Sequence, residues 1–299
     1  NSDKFRTFWR GMADFPNFES GSDPLIPRSA AVTANQAPIA VLRGARRIWA
    51  IGAIHGDIDR LRSLCSKLIP LFEPGDRLVF LGNYLGYGAS VRETVDELLK
   101  IRRVFLARRP FVHLEDIVFL RGCQEEMFRC LLELQFAVDP ARVFEWAVGR
   151  GVGPTIVAYG GDQKAGLACA LDGPLAITRW TGELRERLRQ LDGHGLLISS
   201  LHWAACTQDQ KILLVSSGLD TKKSIGAQSD SFWWAGRSFA SISSPYGDFE
   251  KIIRGFDPSQ NGFSETPFTI TIDSGCGFGG HLTAVCLSPT GAILQQIAA

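Results

Sequence analysis

The stretch IWAIGAIHGDIDRL, Ile48 to Leu61, reads as a buried strand that ends in a glycine turn and opens into a helix. A strand, turn and helix in this order usually present a charged, chemically active residue at the strand end. Here the turn offers only Ala53 and His55 between Gly52 and Gly56, with the first carboxylates, Asp57 and Asp59, already at the start of the helix. Their default task there is to cap the helix N-terminal N–H groups.

The pattern continues downstream. Apolar strands RRIWAIG, RLVFLG and DIVFLRG alternate with amphipathic segments at Asp57–Leu71 and Ser90–Leu106, the βαβ rhythm of a layered α/β domain. A helical middle follows in QEEMFRCLLELQF, PARVFEWAV and GELRERLRQL, and the last third returns to strands in KILLVSSG, KIIRGF, FTITIDSG, LTAVCLS and AILQQI. This predicts one α/β domain over residues 41–299, with two sheets and a helical insertion. Ahead of it, residues 1–40 read as an arm and linker: FPNFESGSDPLIPRSAAVTANQAP (Phe15–Pro38) is rich in proline and small polar residues without periodicity. Further upstream, KFRTFWRGM places Phe5, Phe8, Trp9 and Met12 at helical spacing, either as a short helix packed on the domain or as a docking segment for another protein, with Phe8 and Trp9 as the anchors.

Composition narrows the function. A chain of 299 residues with 45% hydrophobic and 21% charged residues can bury a substantial core. Its formal net charge of +1 supplies no basic field to gather nucleic acid, which is not expected as a partner. Seven scattered cysteines without a C-x-x-C pair suit a reducing, cytoplasmic compartment better than a disulfide framework or a structural zinc site. No apolar run reaches the roughly 18 to 20 residues of a membrane span. The sequence begins NSDKF without an initiator methionine, so a targeting or anchoring segment ahead of residue 1 stays open.

Six strand ends form one ordered set: GAIHG (52–56), LGNYLGYG (81–88), LRGCQEE (120–126), VSSGL (215–219), IRGF (253–256) and IDSGCGFGGHLTAVCL (272–287). Loops at the carboxyl ends of strands in an open α/β sheet converge on a ligand crevice. In order and approximate spacing these motifs resemble the calcineurin-like metallophosphoesterases, closest to the bacterial serine/threonine phosphatase branch that includes dinucleoside tetraphosphate hydrolases. The family motifs are G-D-x-H-G, G-D-x-x-D-R-G, R-G-N-H-E, V-H-A-G-L, V-H-G-H-T and I-D-T-G-x-x-x-G-G-x-L-T-A. GRGVGPTIVAYG (149–160) resembles a further segment of that branch. The resemblance implies a four-layer α/β/β/α sandwich with two mixed sheets.

Carried over residue by residue, the resemblance places Ala53, His55, Asn83, Cys123, Ser216 and Phe256 at the positions where active members hold two divalent metals such as manganese. It places Gln124 where they protonate the leaving group, Gly86 where a carboxylate orients that acid, and Tyr87 where an arginine clamps phosphate. Only His55 keeps the family's ligand type. Two dications about 4 Å apart need anionic oxygens to offset their repulsion, and neutral Asn83 and donorless Ala53 supply none. Loss of the metals and of every acid is therefore expected, which makes the chain a degenerate phosphatase, a pseudophosphatase acting as a protein-binding or regulatory scaffold.

Two alternatives stay open. One is a hydrolase, a serine/threonine phosphatase or dinucleoside tetraphosphate hydrolase, with an altered metal site, for instance Asp57 acting with His55. The other is a ligand or redox sensor in which Cys123, placed before a helix, takes thiolate character. His55, Asn83, Arg121, Gln124 and Arg254 are candidates to line an anion-binding cleft, although both arginines could equally pair with scaffold carboxylates. His194, between two glycines, reads as a turn residue, His202 as structural and His281 as a surface group. DSFWWAG (230–236), read as extended, turns Trp233 and Trp234 to opposite sides and leaves one of them as a partner anchor.

Overall fold

Alternate residues of one strand sort the layers. In the computed structural model, which describes residues 39–107 and 113–299, Ile48 and Ala50 face one buried cluster, while Trp49 and Ile51 face another. The same period of two splits Val79 from Leu78 and Phe80, and Leu214 from Leu213 and Val215. The first cluster draws only on strand and strand-end residues and lies between two sheets; the second holds the helices against their outer faces.

Eleven strands among the described residues build these sheets: β1 (Ile39–Leu42), β2 (Arg47–Ile51), β3 (Asp76–Phe80), β4 (Ile117–Phe119), β5 (Ala204–Thr207), β6 (Ile212–Val215), β7 (Lys251–Arg254), β8 (Ser264–Glu265), β9 (Thr269–Thr271), β10 (Thr283–Leu287) and β11 (Ile293–Ala298). Their order is β1-β5-β6-β7-β9-β8 in one sheet and β11-β10-β2-β3-β4 in the other. Both are mixed. β2, β3 and β4 run parallel, as do β6, β7 and β9, and antiparallel strands flank each trio.

The parallel trio β2-β3-β4 requires crossovers, which α1 (Ile58–Leu68) and α2 (Val91–Leu106) supply. Asp57 caps α1 by accepting from the Arg60 N–H at 3.1 Å, as the sequence suggests. α3 (Cys123–Leu132) starts directly behind β4, and five further helices, α4 (Pro140–Ala147) to α8 (His194–Ser199), form the helical insertion.

Three features depart from the sequence reading. β1 and β5 were not anticipated: β5 is four small or polar buried residues without alternation, and β1 abuts the proline-rich arm, so neither carries a periodic signal. The sequence DSFWW is not extended but forms α9 (Ser231–Trp234), so Phe232 and Trp233 are both buried and Trp234 is half-buried against Trp146. Trp233 packs edge-on to Trp203 and is not available as a partner anchor. His194 is not a free turn residue either; it opens α8, is buried, and joins the Tyr159 hydroxyl (3.1 Å) to the Asp96 carboxylate (2.9 Å). The expectations for residues 1–38, Phe8 and Trp9 included, lie outside the described residues. No helix of the described residues is long and apolar enough to cross a membrane.

Candidate functional site

Backbone hydrogen bonds tie the strand-end loops of both sheets together. Ala53 N–H donates to Gly255 carbonyl (2.9 Å), Ile54 and His55 N–H both donate to Asn83 carbonyl (3.0 and 2.8 Å), and Phe256 N–H donates to Ser216 carbonyl (2.9 Å). The six loops singled out in the sequence thus share one end of the sandwich. β10 and β2, β3 and β4 feed it from one sheet, β6, β7 and β9 from the other.

Asn83 sits at the junction. It is fully buried with φ of 57°. Its side-chain oxygen accepts from the Gln124 N–H (3.1 Å) and from the Cys123 thiol (3.2 Å), and its amide nitrogen donates to Ser216 Oγ (3.4 Å). Three positions that would be metal ligands in active relatives of the resembled family are bonded directly to one another.

Glu125 holds this arrangement from below. The carboxylate is buried and accepts four backbone N–H groups, from Asn83 (2.9 Å), Tyr84 (2.7 Å), Leu85 (3.1 Å) and Gly122 (2.8 Å). Burial raises its pKa, and the four donors oppose that shift.

His55 fills the centre. It is fully buried in a left-handed backbone conformation, φ 53°, and meets the rings of Tyr87, Phe256 and Phe278 edge to face at centroid distances of 5.2, 5.2 and 5.3 Å. Neither ring nitrogen has a hydrogen-bond partner. Burial drives its pKa down to about 4, and the nearby Leu85 backbone only partly offsets this, so the imidazole is neutral over the physiological range.

The donor set does not fit a dinuclear metal centre. Ala53 and Phe256 bring no donor atom, Asn83, Cys123 and Ser216 spend theirs on each other, and the one imidazole is enclosed by aromatic rings. Asp57, the carboxylate nearest in sequence, is engaged with the Arg60 backbone and guanidinium. Among the described residues no group of three His, Cys, Asp or Glu side chains is placed to hold a metal ion.

The expected anion-binding arginines are directed elsewhere. Arg254 is buried and turned to the outer face of its sheet, where it donates to Thr271 Oγ1 (2.9 Å) and Gly236 carbonyl (2.8 Å), pairs with Asp257 (3.1 Å) and covers the Phe239 ring. Arg121 pairs with buried Glu126 (3.1 Å), which Arg129 also holds (2.7 Å), and lies 5.8 Å from the Trp233 ring centre. Both serve the scaffold, because each carboxylate is buried and needs a cation. Gln124 is buried, and its amide nitrogen donates to Arg150 carbonyl (2.8 Å).

The Cys123 thiol is buried, and burial together with Glu125 pushes its pKa up, against the thiolate expected of a redox sensor. The helix N-terminus does not overcome a missing solvent shell and an adjacent carboxylate. His202 is half-buried and links β4 to the strand-end loops through its backbone, while His281 is exposed. Phe278, which completes the aromatic enclosure, was missed in the sequence. A large apolar residue standing alone between glycines in GCGFGG is the signal that could have revealed it.

No family model matches the chain, and no curated protein matches it. Among solved structures the chain is similar to a protein described as a candidate diadenosine tetraphosphatase, at 17% identity over 87% of this chain and 98% of that one, with a TM-score of 0.48. It is also similar to a serine/threonine phosphatase from Saccharomyces cerevisiae, at 14% identity over 88% of this chain and 82% of that one, TM-score 0.47. A third is a metallophosphoesterase from Sphaerobacter thermophilus, at 14% identity over 85% of this chain and 88% of that one, TM-score 0.39.

Three outcomes are expected. Glu125→Ala strands four buried N–H groups and should lower unfolding free energy by about 3 to 5 kcal/mol in urea titration. His55 takes up a proton in the unfolded chain near its ordinary 6.5 and in the folded chain only near 4, so acidification through that window destabilises the fold, by up to about 3 kcal/mol. His55→Phe should remove this loss between pH 7 and about pH 4.5 while remaining at least as stable at pH 7, and an undiminished slope would refute the assignment. In native protein, iodoacetamide should label half-buried Cys169 ahead of the six buried cysteines, Cys123 among them, as mapped by peptide mass spectrometry.

Proposed function

We propose that this chain is a non-catalytic, phosphatase-like protein of the metallophosphoesterase type, a pseudophosphatase, that acts as a protein-binding or regulatory module in the cytoplasm. The observation that carries the reading is the interior of the loop cluster, where direct Asn83–Cys123 and Asn83–Ser216 hydrogen bonds and an aromatic enclosure of His55 stand at the positions of metal ligands.

Hydrolysis of a phosphoester by this class of site requires an activated water and a proton for the leaving alkoxide. Ala53 and Phe256 have no lone pair for a metal, and the Gln124 amide at the acid position has no proton to give near neutral pH. Gly86 and Tyr87 supply neither the orienting carboxylate nor the cation that would clamp phosphate. What remains is binding. Tyr87 and Phe278, each more than a third exposed, roof the enclosure and present a rigid aromatic surface at the mouth, the kind of anchor that protein partners use.

Metal analysis and hydrolysis assays on one sample test this. The purified protein should hold well under one equivalent of manganese, iron or zinc and show no manganese-stimulated hydrolysis of aryl phosphate, phosphopeptide or dinucleoside tetraphosphate. About two equivalents of metal with turnover that disappears in His55→Phe would overturn it.

A further inference from the structure

We propose that the place held by the Phe278 ring is a binding slot for a small phenol, which enters as that ring turns out to solvent and which hydrogen-bonds His55. The feature that points to a ligand is His55 itself. Its side chain is fully buried, and neither ring nitrogen has a hydrogen-bond partner. The Leu85 backbone approaches the ring without completing a bond. Buried polar atoms left in this state call for partners that the chain does not supply.

Of the three rings around His55, one is placed to leave. Phe256 is buried. Tyr87 is held: its N–H donates to the Gly151 carbonyl (2.9 Å), and its ring lies against Gly151, where an added Cβ would come within 2.6 Å of it. Phe278 differs from both. More than a third of it is exposed, and it stands between Gly277 and Gly279, which carry no side chain to obstruct rotation of its ring. The turn beneath is fixed without the ring, by the Phe278 and Gly280 N–H groups donating to the Gly275 carbonyl (both 2.9 Å) and by the Cys276 thiol donating to the Ile54 carbonyl (3.2 Å). The ring can therefore turn while the backbone stays.

The walls set what replaces it. Phe278 lies 5.3 Å from the His55 ring and 4.5 Å from the Tyr87 ring, centre to centre, so the slot takes one aromatic ring on aromatic contacts. A bare hydrocarbon ring would restore those contacts and leave the imidazole as unsatisfied as before. A hydroxyl on the ring both donates and accepts, so it answers either the bare nitrogen of a neutral imidazole or its N–H, whichever faces the slot. A charged ligand is disfavoured, because the aromatic walls would strip its water without returning a counter-charge.

The inference rests on the enclosure of His55, not on whether the site is inactive. Fluorine NMR titration of the full chain with para-fluorophenol and its isostere para-fluorotoluene tests it. Saturable binding of the phenol is expected, roughly threefold or more tighter than that of the toluene, and this preference should vanish or reverse in His55→Phe, where the hydroxyl would lose water without gaining a partner. Phe278→Ala should tighten the phenol roughly tenfold, since no side chain has then to be displaced. In protein isotopically labelled at its histidine ring nitrogens, a His55 signal should shift with the phenol and not with the toluene. Circular dichroism melting verifies the fold of both variants. No saturable binding to the unaltered chain, a toluene bound equally or better, a preference that persists in His55→Phe, or an affinity indifferent to Phe278→Ala would overturn the proposal. Phosphoester hydrolysis by the protein would overturn the preceding functional reading and leave this one standing.

Discussion

The Glu125 carboxylate is the constraint on which the loop cluster depends. Four backbone N–H groups from two loops end on its two oxygens in a region closed to water. Each donor left without an acceptor there would cost about 1 to 3 kcal/mol, so the loop after β3 and the entry to α3 keep their shapes only while that carboxylate is in place. This bracing also fixes Asn83 in the left-handed region, at φ 57°, which asparagine tolerates better than most non-glycine residues. From that position Asn83 reaches three neighbouring loops at once, with its carbonyl to Ile54 and His55 and its side chain to α3 and Ser216.

The scaffold and its chemistry are therefore separable in this chain. The Glu125 and Asp273 carboxylates in the cluster accept from backbone N–H groups, and the positions facing the centre carry neutral or apolar groups. The centre is consequently packed as a small core. A neutral imidazole ringed by Tyr87, Phe256 and Phe278 gains edge-to-face contacts while leaving its two nitrogens unsatisfied, an arrangement that favours enclosure over solvation.

Much of this was legible in the sequence, for reasons that are local. Continuous apolar runs in RIWAI and RLVFL specify strands buried on both faces, the glycine turn after Ile51 and the Asp57 cap specify the passage into α1, and six strand ends in order specify a loop cluster. Contacts that join distant stretches were not legible. Phe278 lies more than 200 residues from His55, and nothing near it in the chain states that its ring closes over an imidazole. Whether Arg254 binds an anion or pairs within the scaffold is open in the sequence until the register with Thr271 and the approach of Asp257 are known. The consecutive aromatics of SFWWAG suit a strand by composition, but the Asp230 carbonyl accepts from the N–H groups of Trp233 and Trp234 and draws them into a helical turn that buries Phe232 and Trp233 together.

The positions around the centre also constrain one another. At Gly86 φ is 82°, and a Cβ added there would come within 2.2 Å of Gln124 Oε1. The Gln124 side chain in turn cannot withdraw without releasing the Arg150 carbonyl, while the Gln124 backbone N–H holds the Asn83 side chain. An acidic residue at 86 thus collides with Gln124 as it is placed here, and replacing Gln124 alone would take this donor from the Arg150 carbonyl, next to the Gly151 carbonyl that accepts from the Tyr87 N–H. The groups around the centre are thus each other's hydrogen-bond and packing partners. At the edge of the cluster Tyr87 and Phe278 still meet solvent.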